Sequence, residues 1–118
     1  MQKSILVGLH DEIWSKTVQI FGPKLGYTVD LAASVENMDY LLGNNRYSKI
    51  IMDLNLGKPA DIDISPAIKI YRAVKKDIDT GFTDFIAISG LEETVSSAKK
   101  QGIPAIFKDR FSLRDYLT

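Results

Sequence analysis

A chain of 118 residues, 45% of them hydrophobic, can bury roughly two-thirds of its unfolded surface and needs no covalent staple to fold. It has no cysteine, which excludes disulfides, thiolate metal sites and cysteine nucleophiles and is compatible with the cytoplasm, the expected location. Fifteen basic residues balance fifteen acidic ones, so no net field attracts nucleic acid or an anionic membrane; no long apolar segment is present, and the start at Met1 does not read as a signal peptide. Residues 1–118 contain no repeat, linker or low-complexity tract and are expected to form a single domain.

Residues 4–9, from Ser4 to Leu9, are an unbroken apolar run too short for a helix, which predicts a strand buried on both faces of a parallel sheet. After His10, Asp11 and Glu12, a rough stripe of Ile13, Trp14, Val18, Phe21 and Leu25 predicts a helix with an acidic first turn suited to the helix dipole. Pro23 cannot donate to the Gln19 carbonyl, so Gly22 and Pro23 should kink or shorten that helix. Gly26 and Tyr27 turn the chain into an alternating stretch from Thr28 to Leu31, expected at a sheet edge. Ser34 should cap a second helix that buries Val35, Met38, Leu41 and Leu42 and stops at Gly43, Asn44 and Asn45.

The apolar run then resumes through Ile50, Ile51 and Met52 and ends on a carboxylate, Asp53. A long loop, residues 54–64, carries Gly57, Pro59, Asp61 and Asp63, whose acids are expected to serve turns, with a metal role as the rarer alternative. Ser65 as N-cap and Pro66 at the first helical position open a third helix, with Ala67, Tyr71, Val74 and Ile78 inward. Residues 85–88 predict a fourth strand ending on Ser89 and Gly90, and residues 92–101 a helix closed by Lys99, Lys100 and Gly102. Residues 103–107 predict a fifth strand ending on Lys108, and Ser112 can cap a last helix of about a turn and a half.

Five strands alternating with helices predict an α/β fold, a flavodoxin-like doubly wound parallel sheet of order 2-1-3-4-5 in three α/β/α layers. In that order the strand ends deliver His10 and Asp11, Asp53, Ser89 and Lys108 to one crevice, while the edge strand ends on Ala32 and Ala33. Two carboxylates in reach of one another repel unless a cation separates them, and hard oxygen donors suit Mg²⁺. A cation beside Asp53 would let that carboxylate act as a nucleophile toward a phosphoryl group, with Lys108 and Ser89 holding the phosphoryl oxygens.

These stretches resemble the receiver domains of two-component response regulators, over essentially the whole chain. Residues 6–12 resemble the family's opening strand and acidic cluster, residues 50–55 its phosphoacceptor strand, residues 86–90 its Thr/Ser strand, and Phe107 with Lys108 its lysine strand. The resemblance implies that Asp53 accepts a phosphoryl group from a sensor histidine kinase or a phosphotransfer protein and that a downstream protein reads the result. It implies Mg²⁺, or Mn²⁺, held by Asp11, Asp53 and the Asn55 backbone carbonyl, with His10 as a further candidate ligand. Ser89 and Lys108 would couple phosphorylation to a change of surface, making the domain a signalling module and not an enzyme.

Four positions depart from the family pattern. His10 precedes Asp11 where the family has a pair of acids, which should weaken Mg²⁺ binding; Lys108 is followed by Asp109 instead of proline, so a trans bond is expected. Ala105 stands where the family carries an aromatic ring, and the loop after Asp53 is longer while the last helix is shorter. His10, Asp109 and Ala105 favour a second reading, a receiver-like module that binds a partner without phosphate control. A flavin-binding protein or small acyl phosphatase is a third, disfavoured because no Ser/Thr/Gly-rich phosphate loop follows the first strand.

Overall fold

The computed structural model describes residues 3–57 and 62–118. Strands β1 (Lys3–Gly8), β2 (Tyr27–Leu31), β3 (Lys49–Asp53), β4 (Asp84–Ser89) and β5 (Ala105–Phe107) pair in parallel in the order β2-β1-β3-β4-β5. The chain leaves β1 toward β2 on one side and returns to β3 on the other, so the winding direction reverses between β1 and β3. Ligands bind beyond the carboxyl ends of the strands at such a reversal. Register keeps those ends level: Gly8 lies opposite Met52, Asp53 opposite Ile88 and Ser89 opposite Phe107.

Helices α1 (Glu12–Lys24) and α5 (Leu113–Leu117) cover one face, and α2 (Val35–Asn44), α3 (Ser65–Asp79) and α4 (Glu92–Lys100) the other. Successive strand side chains point to opposite faces, which is why central strands covered on both sides are continuously apolar. Ile5, Val7, Ile51 and Ile88 meet Val18 and Leu117, while Leu6, Ile50 and Met52 meet Met38, Ile70 and Ala98. Each such aliphatic side chain contributes about 1.5–3 kcal/mol on burial.

The helix predicted from Ile13, Trp14, Val18, Phe21 and Leu25 exists, but only Trp14 and Val18 of that stripe pack, joined by Gly22. Val18 and Gly22 are its buried residues, with Trp14 packed alongside, while Ile13 is 75% exposed and Phe21 50% exposed. The reason is Gly22: a β-carbon there would lie 2.6 Å from Val29 Cγ2, so the bare backbone allows α1 to rest on β2 along the 14-18-22 line. Pro23 lies in the final turn, one residue from the helix end, as expected of a residue that removes a donor.

The α3 start is also shifted. Ser65 is inside the helix, and the Asp63 carboxylate accepts from both its N–H and its hydroxyl, so Asp63 serves the helix entry. Asp61 and Pro59 lie outside the described residues. Strand β5 begins at Ala105 rather than at 103, because Pro104 has no N–H for the ladder, although its carbonyl accepts from Ala87 N. A 3₁₀ turn at Lys108–Arg110 follows, and the Ser112 hydroxyl accepts from Asp115 N at the cap of α5.

Candidate functional site

Asp53 ends β3 and is 8% exposed, at the floor of an open cleft of about 320 Å³ lined by His10, Asn55, Ser89, Gly90, Leu91 and Lys108. Its Oδ2 accepts the main-chain N–H of His10 at 2.6 Å, a bond that ties the end of β1 to the end of β3. Burial pushes the Asp53 carboxyl above the usual carboxylate range; the His10 N–H, the His10 ring and Lys108 pull it back, and Asp11 adds to the rise. The His10 ring leans over the same carboxylate, with Nε2 3.8 Å from Asp53 Oδ2 and 3.1 Å from the Asn55 carbonyl oxygen.

Asp11 is the N-cap of α1. Its Oδ1 accepts from Ile13 N at 2.9 Å and Trp14 N at 3.2 Å, while Oδ2 accepts from Lys108 Nζ at 2.8 Å. The Lys108 hydrogen bond, with those main-chain donors, holds the Asp11 carboxyl below its ordinary range against the opposing effect of burial. Lys108 Nζ also stands 5.0 Å from the centre of the Trp14 ring, a cation–π distance. On the far wall, Ser89 Oγ accepts from Leu91 N at 3.0 Å and shares a hydroxyl–hydroxyl hydrogen bond of 2.6 Å with Thr94, whose Oγ1 also lies 2.8 Å from the Leu91 carbonyl oxygen. Both hydroxyl residues are almost fully buried.

The cation that the resemblance implies can be judged against these contacts. Mg²⁺ wants hard oxygen donors in near-octahedral order, and Mn²⁺ accepts much the same set. Both oxygens of Asp11 are engaged elsewhere, one by Lys108 and one by the start of α1. A carbonyl oxygen only accepts, so His10 Nε2 carries a proton toward Asn55 and presents no lone pair to a metal. Among the described residues, no three His, Asp or Glu side chains converge as a metal site. As arranged, the residues do not fit either ion.

No protein-family model matches the chain, and no curated protein is significantly similar to it in sequence. Solved structures do resemble it. A response regulator protein from Burkholderia pseudomallei, solved with a phosphorylated aspartic acid, a calcium ion and citrate, superimposes with a TM-score of 0.72 at 22% identity, over 98% of this chain and 64% of its own. A two-component response regulator from Clostridium difficile gives 0.72 at 18% identity over 98% and 89% of the two chains. A response regulator receiver domain protein from Methanospirillum hungatei gives 0.68 at 23% over 99% and 89%. The fold is that of response regulator receiver domains. The chain spans less than two-thirds of the Burkholderia protein, and at these identities the likeness is one of fold.

Within the receiver fold, every predicted site residue reaches the carboxyl edge of the sheet, but in three groups. His10 contacts both Asp53 and Asn55, and Asp11 pairs with Lys108. Ser89 shares the cleft while bonded to α4. No cis bond occurs among the described residues, so Lys108 and Asp109 are joined in trans, and Ala105 is buried. Two participants escaped the sequence reading, Thr94 and Trp14. Thr94 had a signal, since Thr94, Val95 and Ala98 form the buried line of an otherwise polar helix. Trp14 was read only as core.

Proposed function

We propose that this chain is a receiver module that takes a phosphoryl group on Asp53 from the phosphohistidine of a sensor kinase or phosphotransfer protein and signals by protein contact. One arrangement carries the reading: a buried carboxylate at the end of the central strand opens into a cleft that also holds a hydroxyl, Ser89, and an ammonium, Lys108. The structurally similar Burkholderia protein carries a phosphorylated aspartic acid, which supports an aspartate as the acceptor. In the transfer, an Asp53 oxygen bonds to phosphorus as the P–N bond to the donor imidazole breaks, and the imidazole leaves with that electron pair. Lys108 would exchange Asp11 for a phosphoryl oxygen, and Ser89 would exchange Thr94 for another, each new contact being charge-assisted.

Incubation with acetyl phosphate and a divalent cation, followed by mass spectrometry, tests this. One phosphate mass is expected on the native protein and none on Asp53→Asn; labelling that survives in the variant would remove Asp53 from the role. A second reading, partner binding without phosphate control, is favoured by a specific observation: His10, Asp11, Ser89 and Lys108 are already satisfied by neighbours within the chain. A partner complex whose affinity is the same for native protein and Asp53→Asn, with no labelling, would select it.

A further inference from the structure

We infer that Thr94 is a positioning residue for Ser89, the middle of a hydroxyl chain that runs from the cleft to the first carbonyl of α4 and passes the state of Ser89 to that helix. The inference rests on the phosphoacceptor reading of Asp53, which is what brings a phosphoryl oxygen into the cleft. Proton counting carries it. A hydroxyl donates one proton and accepts at its lone pairs, whereas a carbonyl oxygen only accepts. Thr94 Oγ1 stands 2.6 Å from Ser89 Oγ and 2.8 Å from the Leu91 carbonyl oxygen, and Leu91 N donates to Ser89 Oγ at 3.0 Å. The contact at the Leu91 carbonyl therefore uses the single Thr94 proton, and the contact between the two hydroxyls then needs the proton of Ser89.

Two proton arrangements fit these atoms. In the first, Ser89 donates to Thr94 and Thr94 donates to the Leu91 carbonyl; in the second, Thr94 donates to Ser89 and the Ser89 proton turns into the cleft. Ser89 is 2% exposed and Thr94 1%, so a proton left without an acceptor is costly at either position. When the cleft offers Ser89 no acceptor, only the first arrangement gives every proton a partner. A phosphoryl oxygen on Asp53 supplies the acceptor that the second arrangement requires. Both protons then reverse, and the Leu91 carbonyl loses Thr94. That loss is felt at α4: Leu91 is its N-cap with no side-chain cap, and the remaining partner of the Leu91 carbonyl is Val95 N at 3.4 Å, a long bond. Thr94 is not part of the cleft lining, so it acts through Ser89.

Three variants test the chain: Thr94→Val, which keeps the shape and removes the hydroxyl; Thr94→Ser, which keeps the hydroxyl; and Ser89→Ala, which breaks the chain at its other end. In an equal mixture of H₂O and D₂O, a hydroxyl that exchanges slowly splits the NMR signal of the carbon that carries it. In unmodified protein the Ser89 Cβ signal should be split in the native chain and in Thr94→Ser, and single in Thr94→Val, where the Ser89 proton has lost its acceptor. A single signal in native protein, or a split one in Thr94→Val, would overturn the inference.

Acetyl phosphate labelling followed by amide exchange reads the second arrangement. Thr94→Val should still label on Asp53, yet lose the change in protection at the Leu91 and Val95 N–H groups that labelling brings to native protein and to Thr94→Ser. Ser89→Ala should lose the same change, and it gives the answer if Thr94→Val does not fold. An equal change at those two amides in native protein and in both broken chains overturns the relay and leaves the phosphoacceptor reading standing. Absence of labelling in every protein, with the Ser89 signal split only where position 94 carries a hydroxyl, removes the phosphoacceptor reading and keeps Thr94 as the residue that directs Ser89.

Discussion

Asp53 combines two demands that oppose each other. A strand end buried to 8% exposure is a poor place for a charge, and desolvation is the leading cause of the raised carboxyl pKa. The folded carboxyl binds its proton more tightly than the unfolded one does. Its contribution to stability is therefore complete below the ordinary carboxylate range and is lost as pH rises through the raised folded value. At neutral pH the ionised group works against folding, whereas an amide of the same shape can still accept the His10 N–H. Asp53→Asn is expected to melt above native protein at about pH 7, with the difference shrinking toward about pH 4. Thermal scans across that range check it, and a variant that melts lower at neutral pH would show that the His10 and Lys108 contacts outweigh burial.

The way α1 sits on β2 turns on the absence of one side chain. An added β-carbon at Gly22 would come within 2.6 Å of Val29 Cγ2, and valine is stiff about χ1, so the helix must move or the strand must give. Helix propensity favours alanine over glycine by about 1 kcal/mol, whereas overpacking costs about 1–3 kcal/mol. The second effect wins, so Gly22→Ala should lose about 1 kcal/mol net. Urea unfolding would register the loss as a lower midpoint; a higher midpoint would mean that α1 can back away from Val29 at little cost.

Across the whole molecule, the route of a signal is constrained by what moves and what cannot. Ala105, buried on β5, carries only a methyl group and cannot swing in or out of the core. The Ser89 hydroxyl, by contrast, is tied to Leu91 and Thr94, so drawing it toward a phosphoryl group releases the first turn of α4. Gly90 gives the backbone freedom to follow. Amide exchange with and without beryllofluoride should therefore change over residues 89–94 and little in β5. The analogue should leave the mass measured by light scattering unchanged, since α5 presents only five residues as a self-association face. Protection changes concentrated in β5 and α5, or dimerisation by the analogue, would rule this route out.

The parallel sheet was legible in the chain because a strand covered on both faces must be apolar at every position, and the runs ending at Leu9, Met52 and Ile88 satisfy that requirement locally. Strand order then brought His10, Asp11, Asp53, Ser89 and Lys108 to one edge, so the list of candidate residues could be written from strand ends alone. Their pairing could not. Whether Lys108 faces Asp11 or Asp53, whether His10 points at a cation or at the Asn55 carbonyl, and whether Ser89 is committed to Thr94 are choices of rotamer between partners 5 to 97 residues apart. The place of Gly22 in the α1 packing line was hidden for a related reason: it has no side chain to contribute to a hydrophobic stripe, and its role exists only relative to Val29 on the neighbouring strand. Periodicity records which residues avoid water; the side chain that each polar group meets is decided only when the strands and helices are packed together.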